Sequence, residues 1–215
     1  MPLKTLHRIS GVLLAAFVGL HLFNHAASLF GAEAHLRLMD ALRVGYRNPF
    51  VEILLLLAVA VQVGSGLRLF WAGRHRAGSG LDRVAFDRVA FDRLQRWSGL
   101  YLAVFFGIHL SAVWVGRLVL GLDTNFYFGV AGLNTFPLNL FFIPYYGLAV
   151  VSFFAHVACA HRRRMQRAVL GLTPRQQAVG ILIFGVIFTL VLFFGLTNGF
   201  RGVAIPAEYG VLVGR

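Results

Sequence analysis

The sequence predicts an all-α membrane protein, a bundle of five transmembrane helices, and three observations carry that expectation. Over 215 residues, 58% are hydrophobic, 13% are charged and the mean hydropathy is +0.74, too apolar for a water-soluble domain. Five apolar runs reach the ~20 residues that cross a hydrocarbon layer ~30 Å thick as helix, at about 9–30, 50–72, 100–120, 138–160 and 178–197. The stretch RISGVLLAAFVGLHL at 8–22 also returns as RWSGLYLAVFFGIHL at 96–110, identical at nine of fifteen positions. Leu and Ala matches come free in apolar windows, but Arg, Ser, Gly and His do not. Helices 1–2 and 3–4 therefore read as two copies of one hairpin with helix 5 added, all within a single domain spanning 1–215.

The first run follows a basic start and could be taken for a signal peptide, with NHAAS at 24–28 as a cleavage site, but a discarded signal has no reason to be rewritten at 96–110. Between the second and third runs, GLDRVAFDRVAFDRLQRW at 80–97 repeats RVAFD directly. It reads as an amphipathic linker at the headgroups and as a docking surface for a soluble partner. After the third run, GLDTNFYFGVAGLNTFPLN at 121–139 is apolar but broken by Gly, Asn and Pro, which predicts a segment lying along the membrane surface. The fifth helix has a defined start, with Thr173 as N-cap and Pro174 as its first residue.

The net charge of +12 does not point to nucleic acid, because the arginines sit between apolar runs rather than on one continuous face. Fourteen of the 20 Lys and Arg fall on one side of the five-helix topology, which places the N-terminus in the cytoplasm and the C-terminus outside an inner (cytoplasmic) membrane. The one cysteine, Cys159, can form no intramolecular disulfide.

His21 and His109 each lie 13 residues after the arginine that opens the repeat, so each sits ~20 Å into the membrane. Gln62 and His156 each lie six residues before an arginine at the same face, ~9 Å in. The result is a histidine pair stacked over a glutamine–histidine pair. An intramembrane imidazole is costly without a partner, and two at equal depth on repeated helices suit the axial ligation of a b-type haem. Gly19 and Gly107, two residues before each histidine, and Gly11 and Gly99, ten before, would give a ring room between helices. A zinc or copper site needs three or four ligands at one level, more than this chain offers at membrane depth. His25, one turn after His21, reads first as an interface residue. His7, His75 and His161 read as headgroup contacts at the cytoplasmic face.

With HRISG opening helix 1 and an intramembrane histidine on helices 1, 3 and 4, the chain resembles the single-chain membrane-anchor cytochrome b of succinate dehydrogenases and fumarate reductases. The resemblance implies a haem b held by His21 and His109 and a second, inner position to which His156 belongs. It also implies an iron–sulfur subunit and a flavoprotein subunit docked on the cytoplasmic side, and exchange of electrons with membrane quinone. The chain departs from the pattern at Gln62, where the family has the helix-2 histidine, so one haem is the more economical expectation and two are possible. The vacated layer, with Arg8, Ser10, Gln62 and His156, offers hydrogen-bond donors to a quinone head-group. The chain has no dicarboxylate site or flavin motif of its own, so it reads as a non-catalytic electron-transfer subunit. A free-standing five-helix haem protein, like mitochondrial outer-membrane proteins linked to lipid homeostasis, and a haem-less structural anchor share the same features.

Overall fold

The computed structural model describes residues 2–72 and 83–215, with side chains from 2–72 and 89–215. The described residues are mainly helical, and the one strand-like feature among them is an isolated bridge between Val169 and Leu172. Seven α-helices follow in order: α1 Leu3–Ala26, α2 Ala32–Tyr46, α3 Pro49–Ala72, α4 Arg83–Trp114, α5 Phe126–Val130, α6 Asn139–Arg164 and α7 Pro174–Leu196. Among the described residues, five helices are long and apolar enough to cross a membrane: Leu3–Phe30, Pro49–Ala72, Val89–Val119, Asn139–Arg164 and Pro174–Leu196. Their outward faces carry exposed Ile9, Val12 and Phe23 on α1 and Ile183, Ile187 and Leu190 on α7, as lipid-facing helices do.

The third membrane helix starts earlier than residue 100. Backbone helix runs unbroken from Arg83 through the second RVAFD copy, so this part of the expected surface linker is the opening of α4. No proline interrupts 83–114, and nothing in that stretch forces the chain to turn before the apolar residues begin. The start of α7 is as expected. Thr173 Oγ1 accepts from the Gln176 amide at 3.3 Å, Gln176 Oε1 accepts from the Thr173 amide at 2.9 Å, and Pro174 opens the helix.

The segment 121–139 does not form one of the five spans and packs across the end of the bundle. Asn125 Oδ1 accepts from the Tyr127 amide at 2.9 Å and starts α5, which buries Phe126 and Val130. These two join Leu133, Leu22 of α1 and Leu192 and Leu196 of α7 in one core cluster at the end of the bundle remote from the N-terminus. Asn134 fastens the segment by donating to Val130 O at 2.9 Å and Leu196 O at 3.1 Å, while its Oδ1 accepts from Val203 N at 3.0 Å. Gly and Pro break the helix but do not make the apolar side chains less apolar, and the helix ends gave them a place to pack. The amphipathic α2, too short and too polar to register as a span, covers the same end with His35 and Met39 buried.

Side by side, α1 packs on α3, α4 on α6, and α6 on α7. Among the described residues α1 and α4 are not a closely packed pair, and they meet through histidine side chains.

Candidate functional site: two layers of imidazole

The mid-bundle layer joins α1 and α4. The His21 and His109 ring centres lie 6.3 Å apart with their planes crossed at 67°. Each ring stacks on a phenylalanine one turn before it. Phe17 lies 6.1 Å from His21 at 17°, and Phe105 lies 5.1 Å from His109 at 12°. The two halves of the repeat thus present the same Phe–His ladder from facing helices, with the Tyr146 ring of α6 edge-on to His109 at 6.4 Å.

The spacing allows a test of fit to a bis-imidazole metal centre. An imidazole nitrogen lies ~2 Å from a bound transition metal and ~1 Å from its own ring centre, so two rings on opposite sides of one metal have centres ~6 Å apart. His21 and His109 meet that separation, their walls are aromatic, and their helices are not packed backbone to backbone. Two details differ from expectation. Gly19 and Gly107 lie on the exposed face, 200° around the helix from their histidines, so they make no room at the rings. His21 Nε2 is also within 3.1 Å of His25 Nε2, so ligation through that nitrogen replaces this bond.

His25 lies at the interface of α1 with α2. Its Nε2 faces His21 and its Nδ1 lies 3.2 Å from Nε2 of His35 on α2, which in turn lies 3.2 Å from the Asn24 amide nitrogen. Because His25 uses a different nitrogen for each neighbour, these imidazoles form a chain and do not converge on one ion. His35 is 2% exposed, beneath the Phe126 ring at 5.0 Å. Burial, with the nearby His21 and Arg43 charges adding to it, pushes its pKa from the ordinary 6.5 down to about 4. A depressed histidine pKa means that the unfolded chain takes up the proton first, so this contribution to stability is whole above pH ~6.5 and is lost as pH falls toward ~4. The melting temperature in detergent is therefore expected to fall across that window, and His35→Gln is expected to flatten the fall. An equal fall in the variant would assign it to other groups.

A second polar network outside the spans holds α2 against 121–125. Asp123 bridges Arg43 at 2.9 Å and Arg47 at 3.4 Å. Burial alone would raise the Asp123 carboxyl, but the two guanidiniums outweigh it and hold the pKa below the usual carboxylate value.

The basic-end layer lies toward the N-terminus. The Ser10 hydroxyl donates to Gln62 Oε1 at 2.7 Å, and Gln62 Nε2 donates to His7 Nε2 at 3.3 Å. With Nε2 accepting, His7 carries its proton on Nδ1 and donates to Ser65 Oγ at 2.9 Å. On the other side, His156 Nδ1 donates to Gln95 O at 3.2 Å, with Ser98 Oγ 3.4 Å away. The His7 and His156 rings face each other with centres 6.5 Å apart. So the ring opposite His156 is His7, which the sequence placed at the headgroups, while Gln62 is hydrogen-bonded to it. Arg8 is exposed and stands outside this network. The repeated glycines belong to this layer. A Cβ on Gly11 would stand 3.2 Å from the Gln62 amide, and one on Gly99 would stand 3.0 Å from the His156 ring. His161 bridges α6 to α7 through Gln177 Oε1 at 2.8 Å, and His75 lies outside the described residues.

The signal that would have found His7 is its position in HRISG, three residues before Ser10 and so on the same helix face. Nothing in the sequence near 35 announces His35, because its contact with His25 depends on how α2 folds back. No family model, curated protein or solved structure matches this chain.

Proposed function

We propose that this chain is a haem b-binding electron-transfer subunit of a cytoplasmic membrane, with His21 and His109 as the axial ligands of one haem. The observation that carries the reading is the pair of crossed rings 6.3 Å apart on matching Phe–His ladders from two helices that are not a closely packed pair among the described residues. A bound haem would supply one-electron storage there. Phe17 and Phe105 hold the two imidazoles in place and keep water out, and His25 is left to bond to His35 alone. The resemblance to succinate dehydrogenase and fumarate reductase anchors extends the proposal to a quinone substrate and to iron–sulfur and flavoprotein partners on the basic, cytoplasmic side. A free-standing haem protein without those partners is the alternative within the same chemistry.

The quinone head-group is proposed to sit in the basic-end layer, where the Ser10 hydroxyl and Gln62 Nε2 are donors and His156 closes the opposite wall. Ser10→Ala and Gln62→Leu, each removing one donor from a buried site, are expected to lower quinone reduction about tenfold. Unchanged turnover in both variants with haem retained would place quinone elsewhere.

One observation favours a second occupant of that layer. His7 and His156 both bond to oxygen through Nδ1–H, which leaves each Nε2 unprotonated, the form in which histidines ligate metals; on His7 that nitrogen accepts from Gln62, a bond that ligation would replace. The pyridine-haemochrome content of the purified protein decides between the occupants. One haem per chain, insensitive to His7→Ala, supports quinone. Two haems, one of which is lost in His7→Ala, support a second bis-histidine centre. No haem on purification or reconstitution contradicts the proposal as a whole.

A further inference from the structure

The loop that joins α6 to α7 at the basic end of the bundle carries leucine where a turn of its kind favours glycine or a short polar residue. Val169 N donates to Leu172 O at 3.1 Å and Leu172 N donates to Val169 O at 2.9 Å, which closes a two-residue turn. Its central residues, Leu170 and Gly171, have φ of +51° and +75°. Two positive φ values in succession are the demand of a type I′ turn, which Asn, Asp and Gly meet easily and a bulky side chain meets at a cost. Leu170 recovers little of that cost inside the chain, because it is 96% exposed, with Val169 and Leu172 beside it 47% exposed. All of 166–173 is exposed. The turn is nevertheless held in place. Gln177, in the first turn of α7, donates from Nε2 to Leu172 O at 2.8 Å and Arg167 O at 3.3 Å, while its Oε1 accepts from His161 of α6 at 2.8 Å.

We propose that the turn 169–172 is an interfacial wedge, seated in the leaflet at the basic end with Val169, Leu170 and Leu172 at the boundary between headgroups and acyl chains. At 1.5 Å per residue the 26-residue α6 and the 23-residue α7 are ~39 and ~35 Å long, more than the ~30 Å hydrocarbon core and less than the ~40–45 Å of a whole bilayer. Both stems of the loop therefore start within the headgroup layer. Arg164 and Arg167, exposed on the first stem, flank the apolar tip with the charge that interfacial segments carry toward lipid phosphates. The composition of the tip selects a bilayer over a protein as its occupant. Shaped protein surfaces are recognised mainly through Trp, Tyr and Arg anchors, with Leu and Val under-represented, and the tip AVLGLT at 168–173 has no aromatic residue. A bilayer accepts aliphatic side chains without matching their shape, and a turn already closed by Gln177 presents all three together with little left to order. The wedge sets how deep the α6–α7 end of the bundle sits. It does not depend on the haem reading.

The test puts a nitrobenzoxadiazole fluorophore on Leu172→Cys of the full chain, with Cys159→Ala so that a single thiol reacts, in vesicles of phosphatidylcholine and phosphatidylglycerol in equal amounts. The label is expected to emit to the blue of the same label on Gln166→Cys, to be quenched by lipids bearing a nitroxide near the headgroup end of the acyl chain, and to be several-fold less quenched by aqueous iodide. Adding Leu170→Asn is expected to abolish the blue shift and restore iodide quenching, although Asn suits the turn better than Leu does, whereas Leu170→Met is expected to keep the label buried. Circular dichroism shows that each protein is folded, and the label in the turn with Leu170 intact decides the matter if the Asn variant does not fold. A label quenched by iodide as strongly as on Gln166→Cys would overturn the wedge and leave the apolar tip to a soluble protein. A label that stays buried in Leu170→Asn would also overturn it, since Leu170 would then not be what seats the turn.

Discussion

Replacing His21 or His109 by alanine is expected to remove the low-spin haem signal, either by losing the haem or by leaving it five-coordinate and high-spin. Two rings 6.3 Å apart can share one metal only if both are present, and truncation removes one of the two. Haem content is expected to fall at least about tenfold, or the spectrum to change spin state, in each single variant. His25→Ala is expected to do neither, because it removes the hydrogen bonds to His21 and His35 and leaves the facing pair intact. His156→Ala, in the other layer, is expected to leave this haem in place. A wild-type low-spin spectrum in His21→Ala or His109→Ala, or loss of this haem only in His156→Ala, would move the ligation to the basic-end layer.

The largest loss of stability is expected from Phe126→Ala. Phe126 is 3% exposed, sits in the core cluster with Leu22, Val130, Leu133, Leu192 and Leu196, and presses on His35 at 5.0 Å. Deleting a buried phenylalanine ring costs about 3–5 kcal/mol in lost burial and residual cavity, whereas Phe126→Leu should cost roughly 1.5 kcal/mol or less. The measurement is equilibrium unfolding in detergent. A loss below about 1 kcal/mol for the alanine variant would mean that α5 is a loosely seated loop rather than the plug that closes this end. The same variant is also expected to unseat His35, since the ring that covers it would be gone.

Apolar run length alone made the five spans legible, because hydrocarbon thickness sets a length that few other structures demand. The repeat at 8–22 and 96–110 made His21 and His109 legible as a pair, and the structure brings their rings together. What stayed hidden has a common cause. His7, His25 and His35 acquire their roles from packing between elements distant in the chain, and periodicity within one helix carries no record of which side chain a neighbouring helix presents. Counting depth from the arginines put Gln62 level with His156, but such a count does not say which side chain fills the space opposite, and the ring there is His7, bonded to Gln62. The packing of 121–139 is hidden for a related reason. Its Gly and Pro residues mark where helix breaks, but nothing in the sequence says that Phe126, Val130 and Leu133 have a core to enter at the end of the bundle.

The electron paramagnetic resonance spectrum of the ferric protein tests the proposed haem assignment most directly, because the His21 and His109 rings stand steeply crossed in the structure. Parallel imidazole planes separate the iron d orbitals that lie along the axis and give an ordinary rhombic low-spin signal. Steeply crossed planes leave them nearly degenerate and give a highly anisotropic one. With His21 and His109 crossed at 67°, a highly anisotropic low-spin ferric signal is expected, absent from both His21→Ala and His109→Ala. A high-spin signal in the wild type, a rhombic low-spin signal alone, or an anisotropic signal that survives either substitution would contradict ligation by this pair.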